Sequence, residues 1–304
     1  METVIIKNKI NTKILPHTQF KSEEEFEKLV FNTPEILEDV FLLKRQVRGS
    51  GKKGIPDIIG IDQNGNICII EMKNVIVDSN IIPQVLEYAL WAESYPDSIK
   101  NLWHECKNKP EDFEINWDKL EVRILIIAPK ILTSTLNFVN KINYLVDLIE
   151  VRQYIDGENQ LLFVNKLEAE KDQKKVKPVS GLEVYDEEFY KKERNQNSVI
   201  DFMKFVKEIE QIIKEKNWQL ETNFTKYYCS FKYGMVNVFS LNWVGTKSFA
   251  FGVKLPKDEL ENINPKMTYY NIHWKQALYY IEPGKTKTKD YFNIFEYAYK
   301  KLIG

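Results

Sequence analysis

Cysteine, histidine and long apolar runs are scarce in this chain of 304 residues. The three cysteines, Cys68, Cys106 and Cys229, lie far apart without paired spacing, which argues against a disulfide framework or a zinc ribbon and fits a reducing cytoplasm. No apolar stretch approaches the length of a membrane span, and the first residues contain no unbroken apolar run. We therefore expect a cytoplasmic protein that is neither secreted nor embedded in a membrane.

The chain also has almost no net charge. The 43 basic and 44 acidic residues leave a formal charge of -1, so composition alone points to no nucleic-acid or membrane partner. Hydrophobic residues make 43% and charged residues 29% of the chain, which is typical of a globular protein and excludes the disordered and fibrous classes. The length favours two domains of ordinary size or one large domain.

A change in composition divides the chain. The stretch 166–186 mixes dense charge with a proline and a Ser-Gly pair and has no sustained periodicity, so we interpret it as a linker. Helical and strand-like segments alternate before it, which predicts an α/β domain over 1–165. One helix, several aromatic strands and a final helix follow it, which predicts an α+β domain with an antiparallel sheet over 187–304.

The most informative segment is a predicted hairpin. Two β-rich runs, Ile55 to Ile61 and Ile67 to Lys73, are joined by DQNGN, which is a strong hairpin signal. A three-residue loop with Gly65 in the left-handed conformation sets Asp57 opposite Glu71, with their side chains about 5 Å apart on one face. A two-residue loop instead shifts the register by one residue and separates the two carboxylates.

Charged residues at the end of an otherwise apolar strand pair are costly unless they are paired or bind a metal. Asp57 and Glu71 would repel each other, and a divalent cation removes that conflict while lowering the pKa of a bound water. Oxygen ligands that leave waters in place suit Mg²⁺, with Mn²⁺ a close substitute. Lys73 shares the face of Glu71, where it would orient or help deprotonate the attacking water, or stabilise charge on a phosphate.

These residues carry a family resemblance. Pro56-Asp57 followed by Glu71-Met72-Lys73 across a short hairpin resembles the PD-(D/E)xK nuclease superfamily. Four further segments resemble the NucS-like (EndoMS-type) endonuclease branch and occur in the expected order over residues 20 to 155. They are SEEEFEKLVFNTPEIL from Ser22, Arg45-Gln46 with the glycine-rich turn after it, QVLEY from Gln84 to Tyr88, and VRILIIAPKIL.

The resemblance implies a restriction-endonuclease-like fold, in which helices flank a mixed sheet, and metal-dependent hydrolysis of phosphodiester bonds. By this analogy Asp57 and Glu71 are ligands of Mg²⁺ or Mn²⁺ and Lys73 is the catalytic lysine. Gln84 lies near the site in such enzymes. Tyr88, one helical turn later, packs there or contacts the nucleic acid. The helical residues could also be ordinary members of an amphipathic helix.

A carboxylate from the first helix often joins such sites, and two candidates are present. Ser22 can cap this helix. Glu23 sits three residues before Phe26, close to the predicted buried stripe, whereas Glu27 lies farther round the helix, so we prefer Glu23 as the catalytic carboxylate. Glu23 could equally serve only as a partner of the helix dipole in the first turn.

The balanced total charge hides a basic segment directly before the hairpin. No acidic residue lies between Asp39 and Asp57. A phosphate backbone needs such a local positive region, although a solvated turn is the alternative interpretation. The predicted nucleic-acid-binding residues of this segment are Arg45, Arg48, Lys52 and Lys53, together with the neighbouring Lys44 as a source of charge.

A second stretch without acidic residues, Thr222 to Lys257, lies in the C-terminal domain. Aromatic faces stack on bases and lysines neutralise phosphates, so this domain could bind nucleic acid. Dimerisation and simple domain packing are the alternatives, because strands avoid acidic residues anyway and most of their aromatics belong to a core. The residues concerned are Lys226, Lys232, Lys247, Lys254 and Lys257 with Tyr228, Trp243 and Phe249.

The leading hypothesis is a magnesium-dependent nuclease that acts in restriction, repair or defence. We expect its substrate to be DNA rather than RNA. The alternative is a catalytically inactive nucleic-acid-binding or regulatory protein on a nuclease fold. The presence of Asp57, Glu71 and Lys73 together favours the enzyme. NucS-like mismatch enzymes act as dimers with a separate N-terminal domain, whereas this chain begins almost directly at the nuclease helix. We therefore do not carry mismatch cleavage or that mode of dimerisation over to this chain. A homodimer of another kind is still possible.

Overall fold

The computed structural model describes residues 4–7, 12–46, 56–107, 109, 115–117, 120–167 and 185–304. The chain divides into two compact units, one formed by residues 1–107 and 114–176 and the other by residues 108–113 and 177–304. Each unit is built around its own large sheet. Within the described ranges, no helix combines the length and apolar character needed to cross a membrane.

Strands and helices alternate along the first unit. Its strands are β1 (Val4–Lys7), β2 (Thr12–Leu15), β3 (His17–Thr18), β4 (Val40–Arg45), β5 (Ile58–Asp62), β6 (Ile67–Met72), β7 (Ile76–Val77), β8 (Val122–Ala128), β9 (Lys130–Ile131), β10 (Leu145–Asp156) and β11 (Asn159–Leu167). Its helices are α1 (Glu23–Asn32), α2 (Ile82–Ser94), α3 (Pro96–Glu105) and α4 (Thr133–Val139), with 3-10 turns at Pro34–Leu37 and Ser79–Ile81.

The large sheet of this unit is mixed, with the order β11-β10-β8-β6-β5-β4 and with β3 added beside β10. Strands β6, β8 and β10 run parallel to their neighbours in this series, whereas β4, β5 and β6 form antiparallel pairs. Helices α1, α2 and α3 pack against the sheet. Strands β5, β6 and β8 are buried along their whole lengths, as expected for apolar strands covered by helices. The predicted mixed sheet flanked by helices is confirmed.

The predicted hairpin register is also confirmed. Ile58 lies opposite Ile70, so the preceding pair sets Asp57 opposite Glu71. The loop is the three-residue one, and Gly65 adopts φ +85°, a backbone conformation that glycine tolerates without strain. The turn chemistry therefore determines which side chains meet at the far end of the hairpin.

Strands β1, β2 and β3 precede α1 in this unit. One expectation about the other boundary of the unit needs correction. The predicted linker starts too early, because β11 continues to pair with β10 through Lys166 and Leu167. Residues 168–184 of the predicted linker lie outside the described residues.

The second unit combines helices with an antiparallel sheet of order β12-β13-β14-β15-β17-β16. A single apolar core joins its two longest helices to this sheet, which confirms the predicted helix pair against antiparallel strands. Its elements are α5 (Glu187–Glu193), α6 (Gln196–Glu215), β12 (Glu221–Phe224), β13 (Tyr228–Tyr233), β14 (Val236–Val244), β15 (Ser248–Val253), α7 (Lys257–Leu260), β16 (Tyr269–Asn271), β17 (Gln276–Tyr280) and α8 (Phe292–Leu302), with a 3-10 turn at Thr288–Tyr291.

The aromatic residues proposed to stack on bases are buried in this second unit. The Trp243 ring stacks on Phe202 of α6 with 4.4 Å between ring centroids, and Phe249 is only 1% exposed. Tyr228 is buried as well. Alternate residues of β14 and β15 point toward the helices, where aromatic rings bury much apolar area. Of the interpretations left open for Tyr228, Trp243 and Phe249, the one in which their rings are buried is therefore confirmed.

Candidate active site

The hairpin holds its charged residues through backbone contacts. Asp57 lies directly before β5, and its Oδ2 atom accepts a hydrogen bond of 2.7 Å from the backbone N–H of Met72. Lys73 follows β6 directly, and its own N–H donates to the carbonyl oxygen of Ile127 at 3.0 Å. The two antiparallel strands and the neighbouring β8 thus fix the backbone on both sides of Glu71.

Glu71 is the centre of the cluster and is only 1% exposed. Its Oε1 atom accepts hydrogen bonds from Nζ of Lys73 at 2.6 Å and from Nε2 of Gln84 at 2.7 Å. Its Oε2 atom is buried and receives no hydrogen bond from an N–H group, and the side chain of Asp57 lies within hydrogen-bond reach of Glu71. Two buried carboxyl groups at this separation repel each other when both are charged, so a proton or a cation is needed between them.

The electrostatics of the site agree with this geometry. Burial, followed by the charge of Asp57, raises the pKa of Glu71 to about 7. Burial also raises the pKa of Asp57, although the Met72 N–H and Lys73 oppose the change. Burial alone lowers the pKa of Lys73, but the carboxylates of Glu71 and Asp57 outweigh it and raise that pKa. The two acids repel each other, and the lysine is held as an ammonium ion beside them.

Helix α2 supplies the amide that contacts Glu71. Gln84 Nε2 donates to Glu71 and also lies 2.6 Å from the hydroxyl oxygen of Tyr88, one helical turn later. The structure therefore brings Gln84 into the cluster. Tyr88 is only 4% exposed, so its ring packs in the unit and the predicted contact with nucleic acid does not fit its position.

Helix α1 presents Glu27, rather than Glu23, to the interior. Ser22 caps the helix as predicted, and Glu27 is 6% exposed whereas Glu23 is exposed. The expectation that Glu27 lies farther from the buried stripe than Glu23 was wrong, because Glu27 and the buried Val30 are three residues apart and share one face. The charges of both glutamates, after the larger effect of burial, help raise the pKa of Asp57.

Glu27 is bound by the end of β4. Its Oε2 atom accepts hydrogen bonds from NH2 of Arg45 at 3.1 Å and from Nε2 of Gln46 at 3.3 Å. Gln46 adopts φ +48°, and its backbone N–H donates to the carbonyl oxygen of Asp57 at 2.7 Å. The structure thus ties Arg45 to α1 and Gln46 to the hairpin. The spacing of Glu27 and Val30 was the signal that sequence reasoning missed.

Three of the four predicted basic residues, Arg48, Lys52 and Lys53, lie outside the described residues. Arg45 is described, and its side chain is 19% exposed beside Glu27. Over the described part of the chain, no group of three or more His, Cys, Asp or Glu side chains has the arrangement of a metal site. Asp57 and Glu71 alone supply the adjacent carboxylate oxygens.

Comparison with known proteins gives partial matches. No protein-family model matches the chain. The chain is 32% identical over 85 residues to endonuclease NucS of Pyrococcus horikoshii, an overlap of 27% of this chain and 32% of that relative. The chain thus spans about a third of the length of the curated relative it matches.

Two solved structures give loose superpositions on the chain. A repair endonuclease from Pyrococcus abyssi superposes with a TM-score of 0.29 and 19% identity, over 49% of this chain and 65% of that one. A complex of EndoMS with double-stranded DNA superposes with a TM-score of 0.30 and 17% identity, over 49% and 64%. The sequence match confirms the resemblance predicted from the motifs, since over that segment the chain is similar to endonuclease NucS.

Proposed function

We propose that this chain is a metal-dependent nuclease that hydrolyses phosphodiester bonds of DNA, in repair, restriction or defence. The observation that carries the proposal is the meeting of Asp57 and Glu71 across the hairpin, with Lys73 Nζ 2.6 Å from Glu71. The partial match to endonuclease NucS supports the same chemistry. DNA is preferred as the substrate by analogy with the NucS-like branch.

The donor atoms fit a divalent cation such as Mg²⁺ or Mn²⁺. The Oε2 atom of Glu71 is a buried oxygen that receives no N–H hydrogen bond, and burial together with the neighbouring carboxyl of Asp57 raises the pKa of Glu71. Hard cations prefer such oxygen ligands, and their charge relieves the repulsion between two acids. Asp57 and Glu71 would hold the cation, which would supply Lewis-acid polarisation of the phosphate.

The remaining residues have roles that follow from their contacts. The carboxylates of Glu71 and Asp57 raise the pKa of Lys73 against the opposing effect of burial, so we assign Lys73 the role of a cation that orients water or stabilises negative charge on the phosphate. Gln84 fixes the carboxylate of Glu71 from α2. Glu27 holds Arg45, the described member of the basic segment, and Glu23 contributes charge from the exposed side of α1.

The alternative proposal is a catalytically inactive protein that binds nucleic acid on the same fold. Over the described residues, the site offers two adjacent carboxylates and no group of three metal-ligating side chains, which is the observation that favours this alternative. We propose a cytoplasmic location with either function, because the three cysteines are free thiols. The second unit is proposed to assist substrate choice or to form a homodimer.

The test is cleavage of labelled nucleic acid by the pure full-length chain. Duplex DNA, single-stranded DNA and single-stranded RNA are each incubated with Mg²⁺, with Mn²⁺ and with chelator. The nuclease proposal expects cleavage of DNA that needs the cation and disappears in Asp57→Asn and Glu71→Gln. Cleavage that survives both substitutions would remove this site, and tight binding without cleavage of any substrate would support the inactive alternative.

A matched control lies in α3. Lys100 belongs to that helix, whose Trp103 ring contacts Phe41 of β4 with 5.9 Å between ring centroids. Phe41 pairs with Ile61, next to the hairpin loop and away from Asp57. The Lys100→Ala variant should therefore cleave DNA at the rate of the unsubstituted chain, whereas the Lys73→Ala variant should cleave more slowly.

A further inference from the structure

An exposed apolar pair follows the lysine of the proposed site. Val75 and Ile76 are each 61% exposed. One residue separates Lys73 from Val75, so their Cα atoms lie within about 7 Å of each other. Single exposed apolar side chains are ordinary on a protein surface, but two adjacent ones beside a charged site form a candidate contact for a ligand.

The backbone around this pair is held on both sides. Before it, Nδ2 of Asn74 donates to the carbonyl oxygen of Phe20 at 2.8 Å. Within it, the parallel pairing of β7 with β9 sets Ile76 directly opposite Lys130. Valine and isoleucine are also stiff about χ1 because their side chains branch at Cβ. The backbone of the pair is therefore held in place, and its side chains have little conformational entropy to lose on contact.

Two lysines neighbour the apolar pair. The Lys73 side chain, whose Nζ is bound to Glu71, is 26% exposed and lies two residues before Val75, and Lys130 is exposed opposite Ile76. Leu132, directly after β9, adds a third exposed apolar side chain at 39%. Exposed apolar side chains with lysines as neighbours match nucleic acid, in which apolar base faces lie between phosphates.

We infer that Val75 and Ile76 form a wedge that enters the base stack of DNA next to the scissile phosphate. The inference rests on the proposed nuclease function, because it uses the position of Lys73 to place the phosphate. Apolar side chains inserted between base steps unstack them and kink the duplex. Lys73 and Lys130 then contact phosphates on either side of the opened step, so the wedge contributes to which DNA conformations are cut.

Base unstacking can be measured directly with a fluorescent base. The full-length chain carrying Asp57→Asn, which leaves DNA uncut, is mixed with duplexes that contain 2-aminopurine at successive positions. Fluorescence of this base rises when it loses its stacking partners. We expect a rise at a small number of adjacent positions, and Val75→Ser/Ile76→Ser should reduce that rise about five-fold or more. In the active chain the same double substitution should lower kcat/KM about ten-fold.

The β1–β2 hairpin offers a matched control. Ile5 and Ile14 lie opposite each other and are 58% and 62% exposed, so they resemble the wedge in size, number and exposure. Ile5→Ser/Ile14→Ser should leave both the fluorescence rise and kcat/KM unchanged. Both double variants should melt at the temperature of the unsubstituted chain, because exposed side chains contribute little to stability.

The outcomes separate the wedge from the nuclease. Binding of DNA without a fluorescence rise, or a rise that persists in Val75→Ser/Ile76→Ser, overturns the wedge and leaves the nuclease proposal intact. Absence of both DNA binding and cleavage overturns the two proposals together. Sedimentation of the same variants tests whether Val75 and Ile76 contact a second copy of the chain instead of DNA. If Val75→Ser/Ile76→Ser converts a dimer to a monomer, the pair is a self-contact and the wedge is wrong.

Discussion

Nζ of Lys73 lies 2.6 Å from Oε1 of Glu71, at the end of the hairpin where Asp57 lies opposite Glu71. This contact holds a positive charge beside two acids. We expect Lys73→Met to lower the cleavage rate by about 100-fold or more, because the aliphatic stem remains while the ammonium group is lost. Single-turnover cleavage of labelled DNA at saturating Mg²⁺ measures the effect.

The corresponding substitution in α3, Lys100→Met, controls for the loss of a surface charge and should cleave normally. Lys73→Arg keeps the charge but replaces a compact ammonium group by a planar fork, so it should recover only part of the rate. Normal cleavage by Lys73→Met would exclude Lys73 from the chemistry.

Gln84 orients Glu71 from outside the carboxylate pair. Gln84→Ala leaves the Oε1 atom of Glu71 with Lys73 as its remaining donor among the contacts described above. We expect the affinity for Mn²⁺, measured by calorimetry without DNA, to fall about 10-fold to 100-fold. Tyr88→Phe removes one contact of the Gln84 amide and should have a smaller effect. Unchanged Mn²⁺ affinity in Gln84→Ala would contradict this positioning role.

The raised pKa of Glu71 predicts how stability depends on pH when a chelator keeps cations away. The pKa of Glu71 is about 7 in the folded chain, above its ordinary value of 4.5, because burial and Asp57 disfavour the charged form. The folded state therefore holds this proton more tightly than the unfolded state. Its contribution to stability is fully present below pH 4.5 and is lost as the pH rises through about 7.

Glu71→Gln removes that titration. In chelator, the melting temperature of the unsubstituted chain should fall between pH 5 and pH 8 by roughly 5 °C more than that of Glu71→Gln. Added Mn²⁺ should restore the unsubstituted chain at pH 8 and leave the variant unaffected, because a cation replaces the proton between the two acids. Parallel pH profiles of the two chains in chelator would contradict the raised pKa.

The sequence predicted the site as far as local rules determine it. Gly65 and the loop length set the register, and the register sets Asp57 against Glu71. The orientation of Glu27 depends on how α1 rotates against the sheet, and its partner Arg45 arrives from another strand. The burial of Trp243 depends on which face of its sheet the helices cover. Such contacts are set by tertiary packing, which the spacing of residues in one segment does not determine.

The ion cluster around Arg123 illustrates the same limit, since nothing in its local sequence indicates it. The Arg123 guanidinium, at the start of β8, contacts carboxylates of Asp147, Asp39 and Asp62. Arg123 and two of these acids are buried, and Arg123 lowers the pKa of Asp147 against the opposing effect of burial. The cluster joins residues from separate parts of the first unit.

We expect Arg123→Met to destabilise the first unit by about 3–5 kcal/mol, because it removes the counter-charge of the buried Asp62 carboxylate and leaves the buried Asp147 carboxylate with Lys166 as its described cation. The loss of stability is measured by chemical denaturation, with hydrogen exchange of the β8 amides as the probe. The double variant Arg123→Met/Asp147→Leu should recover part of this lost stability, because it also removes the buried carboxylate that the single variant leaves without Arg123. A single variant with unchanged stability would show that water reaches the cluster.

The ring of Trp243 in the second unit stacks on Phe202 in the core. Trp243→Ala should destabilise this unit by about 3–5 kcal/mol, because it opens a large cavity between α6 and the sheet. Tyr280→Ala, at an aromatic side chain 44% exposed on β17, is the control and should change stability by less than about 0.5 kcal/mol. Calorimetry and DNA binding are compared on the same samples, below the transition. If Trp243→Ala melts normally and binds DNA more weakly, the ring contacts nucleic acid and its place in the core is wrong.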